Sequence, residues 1–227
     1  MTDAPGTSRS RPGARLPGMA SAGGGNGARP GPPRFVLASA SPARLQLLRQ
    51  IGIGPEQVVS GVDETADGTA AEVALGLARR KALAVAGRIE GDAVVLGCDS
   101  VLEHAGLVLG KPASAAEAIA RWHTLRGTSG RLHSGHCLVS VVAGRVAQEG
   151  SAGAVTTVRF GAPTDLEIAA YVATGEPQQV AGAFTIDGRG GAFIEGIDGC
   201  HSNVIGLSLP VLRRLLAEIG LSVGDWW

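Results

Sequence analysis

A chain of 227 residues, 44% of them hydrophobic, is long enough for one sizeable core and has neither a fibrous nor a membrane composition. Formal charge is zero, but four arginines and one aspartate lie in the first 33 residues, leaving sixteen basic and nineteen acidic side chains in a mildly acidic body that argues against an extended nucleic-acid surface. Cys98, Cys137 and Cys200 are odd in number and lack CxxC spacing, so neither a disulfide framework nor a zinc site is indicated, and a reducing cytoplasm fits.

Residues 1–33 contain eight Gly and six Pro with almost nothing large and apolar, a composition that predicts disorder. No apolar stretch of the ~7–15 residues of a secretory signal follows the basic start, so export is not expected, and Met19 is a second candidate start. No stretch approaches the ~20 apolar residues of a membrane span. From residue 34 to 227 the punctuation fits one domain. Phe35–Ala38 reads as a strand, and Ser41-Pro42 caps and opens a helix with Leu45, Leu48 and Ile51 on one face, ended by Gly52. Three helices open on capping boxes, Thr69 with Glu72, Ser114 with Glu117 and Thr164 with Glu167. Strands are expected at 93–98, in a long hairpin of 132–143 and 145–160 turning at Ala143-Gly144, and at 183–186 and 192–197, with a last helix over 208–219. Strands alternating with helices, interrupted by one hairpin, predict an α/β fold in which a mixed sheet is flanked by helices. No internal repeat is visible.

Asp99 directly follows the apolar run Ala93–Cys98. A carboxylate at the end of a buried strand is costly without a partner, so it is expected to face a metal, a cation or water in a cleft, as the centre of a catalytic site. Leu37-Ala-Ser-Ala-Ser-Pro-Ala-Arg44 joins a strand to a capped helix through small residues, which aims free amides and the positive helix end at one point suited to phosphate. Ser39 and Ser41 can donate there, and Arg44 either makes a bidentate phosphate contact or is a solvated residue behind an ordinary cap. Gly110-Lys111-Pro112 fails as a P-loop, because Gly106 is too close and Pro112 replaces the hydroxyl residue; Lys111 is either a point charge for a polyphosphate or a surface lysine.

Arg79, Arg80 and Lys81 form a dense basic run on a helix, usually a solvated face, from which at most one or two side chains can reach a cleft. Glu64, after a short apolar segment, is a weak candidate for a second oxygen ligand to a hard cation. His133 and His136 lack the spacing of a zinc helix and read as structural or rim residues. No GxSxG elbow occurs and Cys137 has no evident base, so covalent catalysis is unsupported. Trp226 and Trp227 are expected to pack on the body or on a neighbouring subunit.

The ordered series Leu37–Arg44, Gly97-Cys-Asp-Ser100, Gly110-Lys-Pro112, Ser129-Gly-Arg-Leu-His133, Gly175-Glu-Pro177, Ala181-Gly-Ala-Phe184 and Asn203-Val-Ile-Gly-Leu207 resembles that of Maf proteins over residues 35–217. The resemblance implies a fold similar to that of inosine triphosphatases and a cytosolic nucleoside triphosphate pyrophosphatase that releases a monophosphate and pyrophosphate with Mg²⁺ or Mn²⁺. It implies Asp99 as the catalytic acid and metal ligand, Glu64 as metal support, and phosphate contacts at Ser41, Arg44, Lys81 and Lys111, and it suggests a homodimer. Where pyrimidine-selective members show Arg, Thr and Gln, and 7-methyl-GTP-selective ones Trp, Gln and Glu, this chain has Ala43, Ser100 and Asp187, so neither specificity transfers. Asp187 is either an acceptor for the N1–H and exocyclic amine of a guanine-like base or a turn residue before Gly188. A nucleotide-binding regulator of cell division, linked to septum formation, is the competing functional class.

Overall fold

The computed structural model describes residues 31–227, so the expected disorder of residues 1–33 falls almost wholly outside the described residues, as does Met19. Seven strands form one mixed sheet in the order β2-β1-β3-β5-β6-β7, with β4 on the outer edge of β3. β1 (Phe35–Leu37) is parallel to both β2 (Glu56–Gln57) and β3 (Ala93–His104). β4 (Leu107–Leu109), β5 (Ser129–Val142), β6 (Arg145–Phe160) and β7 (Ile194–Asp198) are added antiparallel. The β5–β6 hairpin turns at Ala143 and Gly144, whose φ of 50° and 73° give the doubly left-handed turn that matches strand twist.

Two strand expectations are corrected. β3 does not stop at Cys98 but pairs with β5 as far as Glu103 opposite Arg131, which places Asp99 inside the strand, opposite Gly135. Asp99 and Ser100 are tolerated there because Lys81 and Arg44 meet them, while Val101 and Leu102 pack in apolar clusters on the two faces. Residues 183–186 form no strand: Gly182 and Ala183 have φ of 73° and 63°, and Trp122 Nε1 donates to the Ala183 carbonyl at 2.8 Å, which fixes a tight 3₁₀ turn instead. β2, β4 and α5 (His201–Ile205) are too short to announce themselves by periodicity.

The longer helices begin where their caps predict: α1 (Pro42–Gln50), α2 (Ala70–Ala86), α3 (Ala115–Leu125), α4 (Asp165–Ala173) and α6 (Leu209–Glu218). The boxes at Thr69 and Thr164 are complete, whereas the box at Ser114 is half made because Glu117 Oε2 accepts from the Ala113 amide. α1 is turned from its expected face. Arg44, Leu47 and Leu48 are buried, with Leu45 and Ile51 only partly so, because the Arg44 guanidinium finds its acceptors inside.

α2 covers one face of the sheet, packing Ala78, Ala82 and Val85 on Val36, Val95 and Val139. The other face carries two separate clusters, one under α1 and α6 around Leu37, Leu96 and Leu138, the other under α3 and α4 around Trp122 and Phe160. Trp226 packs edge-on against Phe35 with centroids 5.4 Å apart, as expected, whereas Trp227 is 83% exposed and is tied to the body by its Nε1 bond to the Ile51 carbonyl at 2.7 Å. No helix among the described residues is long and apolar enough to cross a membrane.

Candidate active site

β3 is flanked on its outer edge by β1 as far as Leu96 and by β4 from Leu102, and neither pairs with it in between. The two flanking strands end facing one another across this gap. β1 leaves at Leu37 opposite Leu96 and delivers Ser39, Ser41 and the start of α1. β4 runs back along β3, leaves at Leu109 opposite Leu102, and delivers Gly110 and Lys111. Asp99 and Ser100 lie on β3 within the gap, so one opening is lined from three separate stretches of sequence.

Strand alternation sends Asp99 toward α2 and Ser100 toward α1. α2 approaches unusually closely because Gly97 and Gly135 lie beneath it: a Cβ at either would fall 2.2 Å from the Ala78 or Ala74 carbonyl oxygen. Lys81 therefore reaches the sheet, and its Nζ sits 2.6 Å from Asp99 Oδ1 and 2.6 Å from Glu64 Oε1. Lys81 and Asp99 are buried, while Glu64 reaches in from an exposed loop. Partial burial raises the Glu64 carboxyl's pKa, but the hydrogen bond and charge of Lys81, together with the charges of Lys111 and Arg44, outweigh it and hold the group below the usual range. Of the basic run, Lys81 alone meets the buried acid. Arg79 pairs with Glu149 and Arg80 with the Thr65 carbonyl.

On the opposite face, Arg44 is buried and its donors are largely taken. Nε donates to the Gly206 carbonyl at 2.8 Å, Nη1 to Cys98 O at 2.9 Å and Ser39 Oγ at 3.1 Å, and Nη2 to Ser100 Oγ at 3.1 Å. One Nη2–H of the five remains, so Arg44 offers charge and a single hydrogen bond rather than the expected two-pronged contact, and it is not the solvated alternative either. Ser39 Oγ also accepts from the Ser41 amide at 3.2 Å, which leaves its proton to donate to a ligand. Ser41 Oγ accepts from the Arg44 amide at 3.4 Å as the N-cap.

Ser100 Oγ lies 2.8 Å from Ser134 Oγ, which donates to the Asn203 carbonyl at 3.4 Å, so the Ser100 hydroxyl is engaged within the protein. Asn203 stands out in the sequence only as the start of its motif, and Ser134 not at all, since a buried serine leaves no periodic signal. Ala43 is half-buried at the start of α1, and Lys111 is exposed. Asp187 is exposed on a bend that Glu176 secures by accepting from Thr185 Oγ1 and from the Arg189 and Gly190 amides. In the sequence, Glu176 is marked only by its place in Gly175-Glu-Pro177.

The histidines are structural. His133 Nε2 pairs with Glu103 at 2.7 Å, and His136 Nε2 accepts from the Ser208 amide at 2.8 Å. Burial pushes the Cys98 thiol up to about 12 and also raises that of Cys137, which leaves neither a ready nucleophile. Asp99 Oδ1 and Glu64 Oε1 are taken by the Lys81 ammonium, and two neighbouring carboxylates are the donor type that suits a hard divalent cation taking its other ligands from phosphate and water. Among the described residues no cluster of three or more His, Cys, Asp or Glu forms a complete protein cage. The constellation can thus bind a polyanion, neutralise it and poise a water next to a buried carboxylate.

A family model described as Maf-like protein matches residues 34–219. A protein named nucleoside triphosphate pyrophosphatase from Streptomyces coelicolor is 60% identical over 197 residues, covering 86% of this chain and 94% of that one. Proteins of the same name from Salinispora tropica and a Cyanothece species are 57% and 50% identical, over 86% of this chain and 88% and 99% of their own. The solved structure of the Staphylococcus aureus Ham1 protein aligns with 56% of this chain and 72% of its own at 14% identity, with a TM-score of 0.34.

Proposed function

The chain belongs to the Maf-like protein family, and from that premise we propose that it is a nucleoside triphosphate pyrophosphatase, hydrolysing its substrate to the nucleoside monophosphate and pyrophosphate. The observation that carries the reading is the buried Lys81 ammonium held 2.6 Å from both Asp99 and Glu64, at a gap in the sheet flanked by the Ser39–Arg44 turn and by Lys111. A triphosphate carries about four negative charges. Arg44, Lys81, Lys111 and the N-terminus of α1 supply the opposing charge. Ser39 and Ser41 donate to phosphate oxygens, and Asp99 orients or deprotonates the water that attacks the α-phosphorus, with pyrophosphate leaving.

Asp99 and Glu64 would hold Mg²⁺ or Mn²⁺, which supplies charge neutralisation at the phosphates. Asp187 is proposed to select a guanine-like base, because a carboxylate accepts from N1–H and the exocyclic amine but cannot donate to a pyrimidine carbonyl. The exposed carboxylate on a secured bend supports this. Ala43 and Ser100 shape the remaining boundary of the base site. Three free thiols support a cytoplasmic setting, and a homodimer is proposed from the family relationship.

A nucleotide panel with Mg²⁺ or Mn²⁺, read out by product identity, tests the reading. The expected result is monophosphate plus pyrophosphate from purine triphosphates, with guanine-type preference weakened in Asp187→Ala. Preference for UTP or dTTP, unchanged in that variant, would remove the guanine proposal, and no turnover of any nucleotide would leave the division-regulator class.

A further inference from the structure

We propose that Arg80 is a positioning residue that delivers Glu64 to the reaction centre, an inference that rests on the reading of Glu64 as part of that centre. Arg80 and Lys81 are consecutive on α2, and Thr65 and Glu64 are consecutive on the loop facing it. Lys81 Nζ meets Glu64 Oε1 at 2.6 Å while Arg80 Nη2 donates to the Thr65 carbonyl at 2.9 Å, so two neighbouring helix side chains grip two neighbouring loop residues.

Glu64 is also bracketed within the loop. Asp63 Oδ1 accepts from the Thr65 amide at 2.9 Å and from its hydroxyl at 2.8 Å, closing a turn around Glu64. The Asp63 carboxyl is held below its ordinary range first by these Thr65 bonds, and further by the Arg80 charge. Arg80 thus grips the turn at its carbonyl.

Apolar packing does not do this work. An open cavity of about 410 Å³ separates Thr65, Ala66 and Asp67 from Val73 and Gly76 on α2, so the loop stands off the helix. Arg88 donates to the Ser60 carbonyl at 2.6 Å, but that tether lies four residues before Glu64. With an open cavity beside Thr65–Asp67, the Arg80 bond holds the loop backbone in the place from which the Glu64 carboxylate reaches Lys81. Arg79, the preceding residue, is turned away to Glu149.

The test compares Arg80→Ala, Arg80→Lys, Arg79→Ala and Glu64→Gln in the full-length chain. Three readouts are taken: Mn²⁺ binding followed by electron paramagnetic resonance, the kcat and KM for nucleotide, and amide exchange over residues 63–67. Arg80→Ala is expected to weaken Mn²⁺ binding in the presence of nucleotide and to lower kcat by about 10- to 100-fold, the range for partners that orient a ligand. KM at saturating metal stays near wild type and exchange over residues 63–67 rises, while α2 stays protected. Arg80→Lys, which keeps a donor within reach of the Thr65 carbonyl, restores most of the loss, and Arg79→Ala behaves as wild type. Wild-type metal binding and exchange in Arg80→Ala, alongside an impaired Glu64→Gln, would overturn the positioning role alone. An equal loss in Arg79→Ala would reduce it to general charge. Unimpaired Glu64→Gln would instead overturn the reading of Glu64 on which the inference rests.

Discussion

Asp99 is 7% exposed in the middle of a strand, where an unpartnered carboxylate costs several kcal/mol. Lys81 offsets that cost at 2.6 Å, and the same ammonium draws Glu64 into the site. Removing one member of a buried pair strands the other. Lys81→Met is therefore expected to cost about 3 kcal/mol in denaturant unfolding as well as activity. Asp99→Asn keeps the shape and loses the charge, so it should lower kcat by at least about 10²-fold while nucleotide binding, followed by calorimetry, is largely retained. Near-normal turnover would remove Asp99 from its role. The sequence pointed to Asp99 because an acid beside an apolar run stands out, and to the phosphate turn because small residues before a capped helix have a physical use. It did not reveal that Arg44 spends four donors on Ser39, Cys98, Ser100 and Gly206, since three of those acceptors come from segments 54 or more residues away.

At the scale of elements, the site depends on α2 lying flush with the sheet. Gly97 and Gly135 permit this, and an alanine at either must displace the helix, because the added carbon falls 2.2 Å from a backbone oxygen. Gly97→Ala and Gly135→Ala are each expected to destabilise the fold by about 1–3 kcal/mol, the range for overpacking, and to reduce activity out of proportion by lifting Lys81 off Asp99. Unchanged activity in both would break the link between helix approach and site geometry. The helix starts were readable because caps are local, as at Thr69 and Thr164. Strand ends were less readable. β3 continues past its apolar run because its long antiparallel pairing with β5, from Ala93 opposite Val141 to Glu103 opposite Arg131, is a non-local constraint that no window of residues contains. Residues 183–186 misled for the converse reason. Their apolar pattern suits a strand, but the left-handed backbone at Gly182 and Ala183 and the bond from Trp122 decide the shape.

Across the whole molecule, one mixed sheet separates α2 from two clusters on its other face, and the proposed reaction centre lies beside β3 in the gap between β1 and β4. His136 joins β5 and β6 to the start of α6. It accepts from the Ser208 amide at 2.8 Å and hydrogen-bonds the Ala152 carbonyl at 3.3 Å through Nδ1, which assigns the proton to Nδ1. Burial lowers its pKa from 6.5 to about 4. The unfolded chain then binds a proton that the folded chain refuses between those values, so this contribution is present above pH 6.5 and is lost as pH falls toward 4, amounting to about 3 kcal/mol. Denaturant unfolding from pH 7 down to pH 4 should show that decline, and His136→Gln should flatten it; an identical slope in the variant would contradict the assignment.

Water is proposed to attack the α-phosphorus in the gap beside Asp99. Hydrolysis in ¹⁸O-labelled water followed by mass spectrometry of both products measures this directly. The label is expected in the nucleoside monophosphate and not in pyrophosphate. Label in pyrophosphate, or release of inorganic phosphate with a nucleoside diphosphate, would contradict it.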